Sequence, residues 1–277
     1  MITKKINKKK FYPVSKPYIV KKDLYEVNKA LKSGWVSSDG PNVKRFEDKF
    51  SKYIGRKHSI AVSNGTAALE IAVKALGLKK GDEVLIPNFT IISNALAVIK
   101  QNLKPILIDC TLEDWNIKIE DIEKKITKKT KAILVVDLYG YAVNIMPFKK
   151  LKKDIKIIHD CAQSLGAKIL NRRSGMLADF ACYSFHSQKN ITTLGEGGAI
   201  YVKNNKLANA VKGLRHNGHR PYSASRKKYW KPAMVNTDLD IQNIWPHKFT
   251  LSEIQCAAGY MLMKRLDDLN LTKLYSD

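Results

Sequence analysis

The chain lacks any apolar run long enough to cross a bilayer, any CxxC pair and any histidine cluster at metal-ligand spacing, and it sets only 25 Asp and Glu against 49 Lys and Arg. Each shortage excludes something. A membrane span needs roughly 20 consecutive apolar residues, and no such stretch is present. The opening MITKKINKKK runs into FYPVSKPYIV rather than into an apolar segment with a small-residue cleavage site, which argues against a secretory leader. The four cysteines, Cys110, Cys161, Cys182 and Cys256, are widely spaced, which suits a reducing cytoplasm and argues against structural zinc. A cytoplasmic protein without a metal is the expectation.

What is there in excess is positive charge. The formal net charge of +24 raises nucleic acid as a partner, because clustered Lys and Arg displace counterions from phosphate. The distribution weakens that reading. Lysines sit on nearly every surface stretch, as in KKITKKTK (124–131) and KKLKKD (149–154), with no stacking aromatics between them. Such charge speaks to solubility and nonspecific attraction. Nucleic acid is therefore not an expected partner, and only residues 1–22 read as a basic N-terminal arm. With 44% hydrophobic residues over 277 positions the chain can bury a full core.

Short β-branched or aromatic runs recur as SIAV (59–62), DEVLIP (82–87), KPILID (104–109), KAILVVDL (131–138), IKIIHD (155–160), FACYSF (180–185) and AIYV (199–202). They read as buried strands. GTAALEIAVKALGL, IISNALAVIKQN and DIEKKI carry helical patterns between them. This alternation gives an α/β fold class, a mostly parallel sheet sandwiched by helices. After about Arg215 the texture changes to a polar, aromatic, strand-poor stretch that reads as a long loop leading into a final helix from about Thr250. The expected organisation is a large domain over 23–235 and the start of a smaller one over 236–277.

In open α/β sheets ligands sit at the carboxyl ends of the strands, and three features converge there. In SNGTAALEIAVKAL, Ser63 and Asn64 are cap candidates, Gly65 permits a tight turn, and an amphipathic helix begins at once. Its first N–H groups make a phosphate site, although the same residues serve equally well as a plain helix cap. In IIHDCAQSLGA an apolar strand runs into Asp160. A buried carboxylate needs a partner: Asp160 either caps the next segment or pairs with a protonated ring nitrogen, with Gln163 reaching a polar substituent of the same ring. In YSFHSQKNITTLGEGGAI, Ser184 ends an aromatic strand, Lys189 follows on a short loop, and Gly195, Glu196, Gly197 and Gly198 precede the next strand. A lysine held among apolar neighbours has its amine pKa lowered and becomes a nucleophile toward an aldehyde. Phosphate, ring nitrogen and aldehyde together describe pyridoxal 5'-phosphate (PLP), an electron sink.

SGWVSSDG with NVKRFEDKF, SNGTAAL, GDEVLIPNFT, LYGYAVNIMPF, IIHDCAQSLGA and SFHSQKNITTLGEGG together resemble the DegT/DnrJ/EryC1/StrS sugar aminotransferases, a branch of the fold-type I PLP enzymes, over nearly the whole chain. The resemblance implies that Lys189 holds the cofactor covalently, that Asp160 binds the pyridine nitrogen with Gln163 beside the ring, and that Gly65, Thr66 and Ser184 surround the phosphate. The position that the family gives to an aromatic on the ring face is Ile91, with Phe89 nearby. The family's phosphate contact from the neighbouring subunit falls on His247, Lys248 and Phe249, and Lys248 can meet phosphate as a point charge. Family members continue for most of a small domain past such an end, so a fragment, a split gene or a short member is expected.

The implied reaction is a two-stage amino transfer from L-glutamate to a nucleotide-linked keto-deoxysugar, with Lys189 as general base and Asp160 keeping the ring nitrogen protonated. Perosamine-type enzymes, which aminate C4, look most similar, although 3-amino enzymes share the cofactor motifs. Arg215 and Arg220 are candidates for the anionic groups of donor or sugar nucleotide, or are solvent-facing cations. His186 either faces substrate or is a satisfied loop histidine, and Glu196 is structural or sugar-facing. The resemblance also implies a homodimer with its sites at the subunit boundary. Two other readings stay open at this point: a family dehydratase, which would carry a nonlysine base in place of Lys189, and a truncated noncatalytic member or basic binding protein.

Overall fold

The computed structural model describes residues 15–38, 40–151, 154–218 and 245–275. In chain order its elements are α1 (Lys21–Lys32), α2 (Pro41–Ile54), β1 (His58–Val62), α3 (Gly65–Ala75), β2 (Glu83–Pro87), α4 (Ile92–Ile99), β3 (Lys104–Ile108), α5 (Ile119–Lys125), β4 (Thr130–Val136), α6 (Phe148–Leu151), β5 (Lys156–Asp160), β6 (Lys168–Ile169), β7 (Arg172–Arg173), β8 (Phe180–Ser184), β9 (Gly198–Val202), α7 (Asn205–Arg215), α8 (Glu253–Lys264) and α9 (Leu266–Tyr275). The seven sequence-predicted strands all form, and they make one sheet in the order β1-β9-β8-β5-β4-β2-β3. β9 runs antiparallel to β1 and β8, and the remaining neighbours are parallel. β6 and β7 form a separate two-stranded hairpin, which was too short to leave a pattern in the sequence.

The period of two along each strand divides the core. Ile158 of β5, Leu134 of β4 and Cys182 of β8 face a layer that includes Ala68, Ile71 and Ala72 of α3 and Ala97 of α4. Ile157 and Ile133 face the opposite layer with Ile122 of α5. By the same alternation Asp160 stands on the α3 and α4 side of β5, and His159 stands on the other.

The segment expected to open a smaller domain supplies α8 and α9. Cys256 and Leu262 of α8 and Leu266 of α9 bury into one cluster with Phe46 and Phe50 of α2 and Tyr183 of β8. Phe46, Phe50, Tyr183 and Phe185 meet edge-to-face at centroid distances of 5.0 to 5.5 Å. Such pairs contribute about 0.5–1.5 kcal/mol each beyond the area they bury. Glu253, fully buried at the start of α8, accepts the N–H groups of Asn42 (2.7 Å) and Val43 (2.9 Å), so it neutralises the open donors at the start of α2. The final helix breaks at Arg265, whose guanidinium reaches back to Asp23 and to the Tyr18 carbonyl, tying the chain's early residues to its late ones.

Candidate active site

The carboxyl ends of β1, β5 and β8 meet the start of α3. Asn64 is the N-cap, and its side chain accepts the Ala67 N–H at 2.7 Å. The amides of Gly65 and Thr66, at the first two helical positions, have no acceptor within the helix. Gly65 is required by space: a Cβ there would lie 2.9 Å from the Ser184 Cβ. The helix end and the buried Ser184 hydroxyl therefore form one cradle of donors. Gly198 is equally constrained, since a Cβ would stand 2.6 Å from the Asn64 carbonyl, where β9 passes the turn. Thr66 Oγ1 lies 3.0 Å from Ser93 Oγ, joining the first turns of α3 and α4.

Asp160, only 3% exposed, ends β5 on this side. Its Oδ1 accepts the Ala162 N–H (3.0 Å) and its Oδ2 accepts Asn94 Nδ2 (3.1 Å). The capping reading is thus met locally, by an i to i+2 bond, without excluding a second partner. Burial raises the Asp160 pKa, against the opposing pull of Ala162, Asn94 and His159. Gln163 is half-buried, and its Oε1 accepts the Tyr139 N–H at 2.9 Å, which leaves the amide NH2 as its donor end. Lys189 lies half-buried on the β8–β9 loop, where its N–H donates to the His186 carbonyl at 2.9 Å. That loop is closed by Phe185 N–H to the Gly197 carbonyl (2.7 Å) and Ser187 N–H to the Gly195 carbonyl (3.0 Å), with Gly195 at φ +114.

The other predicted residues divide. His186 Nε2 stands 3.8 Å from Glu196 Oε1, so these two pair with each other on the surface of the lysine loop. Ile91 is the N-cap position of α4 and is 56% exposed. Lys248 is exposed and meets His216 of its own chain, within a segment tied to the start of α3 by Ser63 N–H to the Phe249 carbonyl (2.9 Å). Arg220 lies outside the described residues. Arg215 departs from the substrate-facing expectation: it is buried and donates to Glu47 (2.7 Å) and to the Ala61 carbonyl (2.8 Å), while Glu47 accepts the Ala61 N–H. β1 is an edge strand, and these two side chains satisfy the outward backbone groups that an edge leaves open.

Two groups were missed. Asn94 is fully buried, and its Oδ1 has no hydrogen-bond partner among the described residues; the signal was a carboxamide inside the apolar pattern IISNALAVI. The second is the grouping of Phe89, already noted beside Ile91, with Trp115 and Tyr139: exposed by 41%, 45% and 70%, they form an edge-to-face series at 5.0 and 6.0 Å that ends beside Gln163.

The chain matches the DegT/DnrJ/EryC1/StrS aminotransferase family over residues 17–275. It belongs to that family. It is 33% identical over 261 residues to the GDP-perosamine synthase of Escherichia coli O157:H7, covering 94% of this chain and 67% of that one. It is 37% identical over 247 residues to the dTDP-3-amino-3,6-dideoxy-alpha-D-galactopyranose transaminase of Aneurinibacillus thermoaerophilus, covering 88% and 63%. A GDP-4-keto-6-deoxymannose-3-dehydratase, solved with a trapped PLP-glutamate adduct, superposes with a TM-score of 0.81 at 25% identity, over 93% of this chain and 69% of that one. The chain thus spans about two thirds of the length of these relatives. Its architecture is that of fold-type I PLP enzymes, and PLP is the family's cofactor. The residues fit it: donors and a helix N-terminus for a phosphate dianion, and a buried carboxylate whose hydrogen-bond partners, the Ala162 N–H and the Asn94 carboxamide, are neutral, for a ring cation.

Proposed function

We propose that the protein transfers an amino group from L-glutamate to a nucleotide-linked keto-deoxyhexose, at C4 of the sugar, using PLP. The observation that carries this reading is the convergence of Asp160, Ser184, Gly65 and Thr66 on one face at the strand ends, with Lys189 on the loop that leaves Ser184. PLP, when bound, supplies the electron sink. Gly65, Thr66 and Ser184 hold its phosphate, Asp160 holds a proton on its ring nitrogen, and Gln163 donates to the ring. Lys189 would hold it covalently, and its free amine would be the base that moves the proton at the donor's Cα. The amine of Lys189 also separates this reading from the dehydratase reading, which needs a nonlysine base. The choice of C4 rests on the resemblance to perosamine-type enzymes, and the similarity to a 3-amino-sugar transaminase makes C3 the competing outcome. A cytoplasmic location suits such a biosynthetic role, and no helix among the described residues is long and apolar enough to cross a membrane.

We further propose a homodimer that shares its sites, with Lys248 and the SGWVSSDG loop reaching toward the neighbour. Ile92, Leu96 and Ile99, exposed by 64%, 39% and 51%, form an apolar stripe on α4 that a second copy would cover.

The test is a half-reaction. The PLP-loaded protein is converted with L-glutamate, then mixed with nucleotide-linked 3-keto and 4-keto sugars or with small 2-keto acids, and the original cofactor absorbance is followed. Recovery with 4-keto sugars is expected. Recovery with 3-keto sugars alone would overturn the C4 assignment, and recovery with 2-keto acids alone would overturn the sugar.

A further inference from the structure

We propose that His159, hydrogen-bonded to Asp137, is a positioning residue that holds Asp160 from the opposite face of β5. The inference rests on the reading of Asp160 as the group that meets the cofactor ring. Asp137, fully buried one residue past β4, collects four donors: Val143 N–H (2.8 Å), His159 Nε2 (2.6 Å), Ser164 Oγ (2.6 Å) and Ser174 Oγ. These come from the loop after β4, from β5, from the turn after Asp160 and from the residue after β7. His159 and Ser164 bracket Asp160 in sequence, and the Asp137 N–H donates to the Asp160 carbonyl at 3.1 Å. The carboxylate thus ties down the strand end from which Asp160 projects. Asp137, His159 and Cys161 also lie within 4.8 Å of one another, but protein donors already occupy the oxygens of Asp137, so hydrogen bonds account for the cluster.

Electrostatics bear on the pair as well as geometry, and Nδ1 of His159 has no hydrogen-bond partner among the described residues. Burial pushes the His159 pKa down, yet the Asp137 carboxylate outweighs it and holds the ring well above 6.5; burial pushes Asp137 up, yet His159 and the serine donors hold it low. At Asp160, burial is the largest influence and favours the neutral carboxyl; the His159 charge opposes it and that of Asp137 reinforces it. The titratable neighbours of the ring are Asp137 just past β4, Asp160 and Cys161 from its own stretch, and Tyr183 of β8 beside Cys161. Arg172 and Arg173 of β7 line the same cleft of about 220 Å³ as His159. A clamp that was only structural would leave the Asp160 titration unmoved when the imidazolium is replaced by a neutral donor.

The experiment is a carbon-13 NMR titration of aspartate-labelled, cofactor-free protein, with Asp160 assigned through Asp160→Asn, in wild type and His159→Gln. Asp160 is expected to titrate about half a pH unit or more higher in His159→Gln, and the variant's Kd for PLP is expected to rise about tenfold. An unchanged Asp160 titration in a folded His159→Gln protein would overturn the proposal. Nitrogen-15 shifts of the wild-type His159 ring need no variant: a doubly protonated ring at pH 7.5 supports the proposal and a neutral one overturns it. Failure of the wild type to bind PLP would sink the cofactor reading instead, because neither titration uses the cofactor.

Discussion

Asp160 buries a carboxyl against one amide N–H and one carboxamide. Its pKa is raised from the ordinary 3.8, so the sign of its effect on stability follows directly. Below the unfolded value the residue is neutral in both states and costs nothing; as pH rises through the folded value the native state must carry a desolvated charge, and stability falls. Asp160→Asn is therefore expected to raise the melting temperature of the cofactor-free protein at pH 7.5 by roughly 2–4 °C, with the gain shrinking toward pH 4. The loaded variant should lose about 100-fold or more in turnover, since the amide cannot hold the ring proton. A variant that melts lower at pH 7.5, or turns over within a few fold of wild type, would contradict that role. That Asp160, Ser184 and Gly65 stand together at the strand ends was legible in the sequence, because each breaks a local pattern there. It misled at Arg215, where nothing in GLRHNGHR tells which edge of the sheet the helix will cover, and it hid Asn94 and the Asp137–His159 pair, whose meaning lies in contacts between elements distant in sequence.

The strands were legible to within a residue or two because buried parallel strands read as continuous β-branched runs bounded by turns. α7, which did not stand out from the lysine-rich background, and the short hairpin β6–β7 were not legible; neither was the break at Arg265, which depends on its contacts with Asp23 and Tyr18. α4 was predicted, and its exposed side becomes informative only once the buried side is known. Asn94, Ala97 and Val98 face inward, which leaves Ile92, Leu96 and Ile99 at helical spacing outside. If a second copy covers that stripe, the wild type should sediment at twice the 31.3 kDa of one chain. Ile92→Asp combined with Leu96→Lys should then shift it to a monomer at micromolar concentration, with the circular dichroism unchanged. A dimer that survives both substitutions would place the interface elsewhere.

The whole molecule joins an unspecific surface to a specific interior. The charge of +24 is spread along the chain and favours a large anionic substrate without naming one. The sheet order, with β9 antiparallel between β1 and β8, brings the cradle at α3, Asp160 and the lysine loop to one end. That arrangement was predictable in class from the alternation of strands and helices and in detail only from the register. The most direct measurement is to incubate the protein with PLP, reduce it with borohydride, digest it and map the modified peptide by mass spectrometry. The adduct is predicted on Lys189 alone, in the peptide that carries SFHSQKNITTLGEGG, and absent from a folded Lys189→Ala variant. Specific labelling of another lysine, or an adduct that persists in Lys189→Ala, would contradict the account.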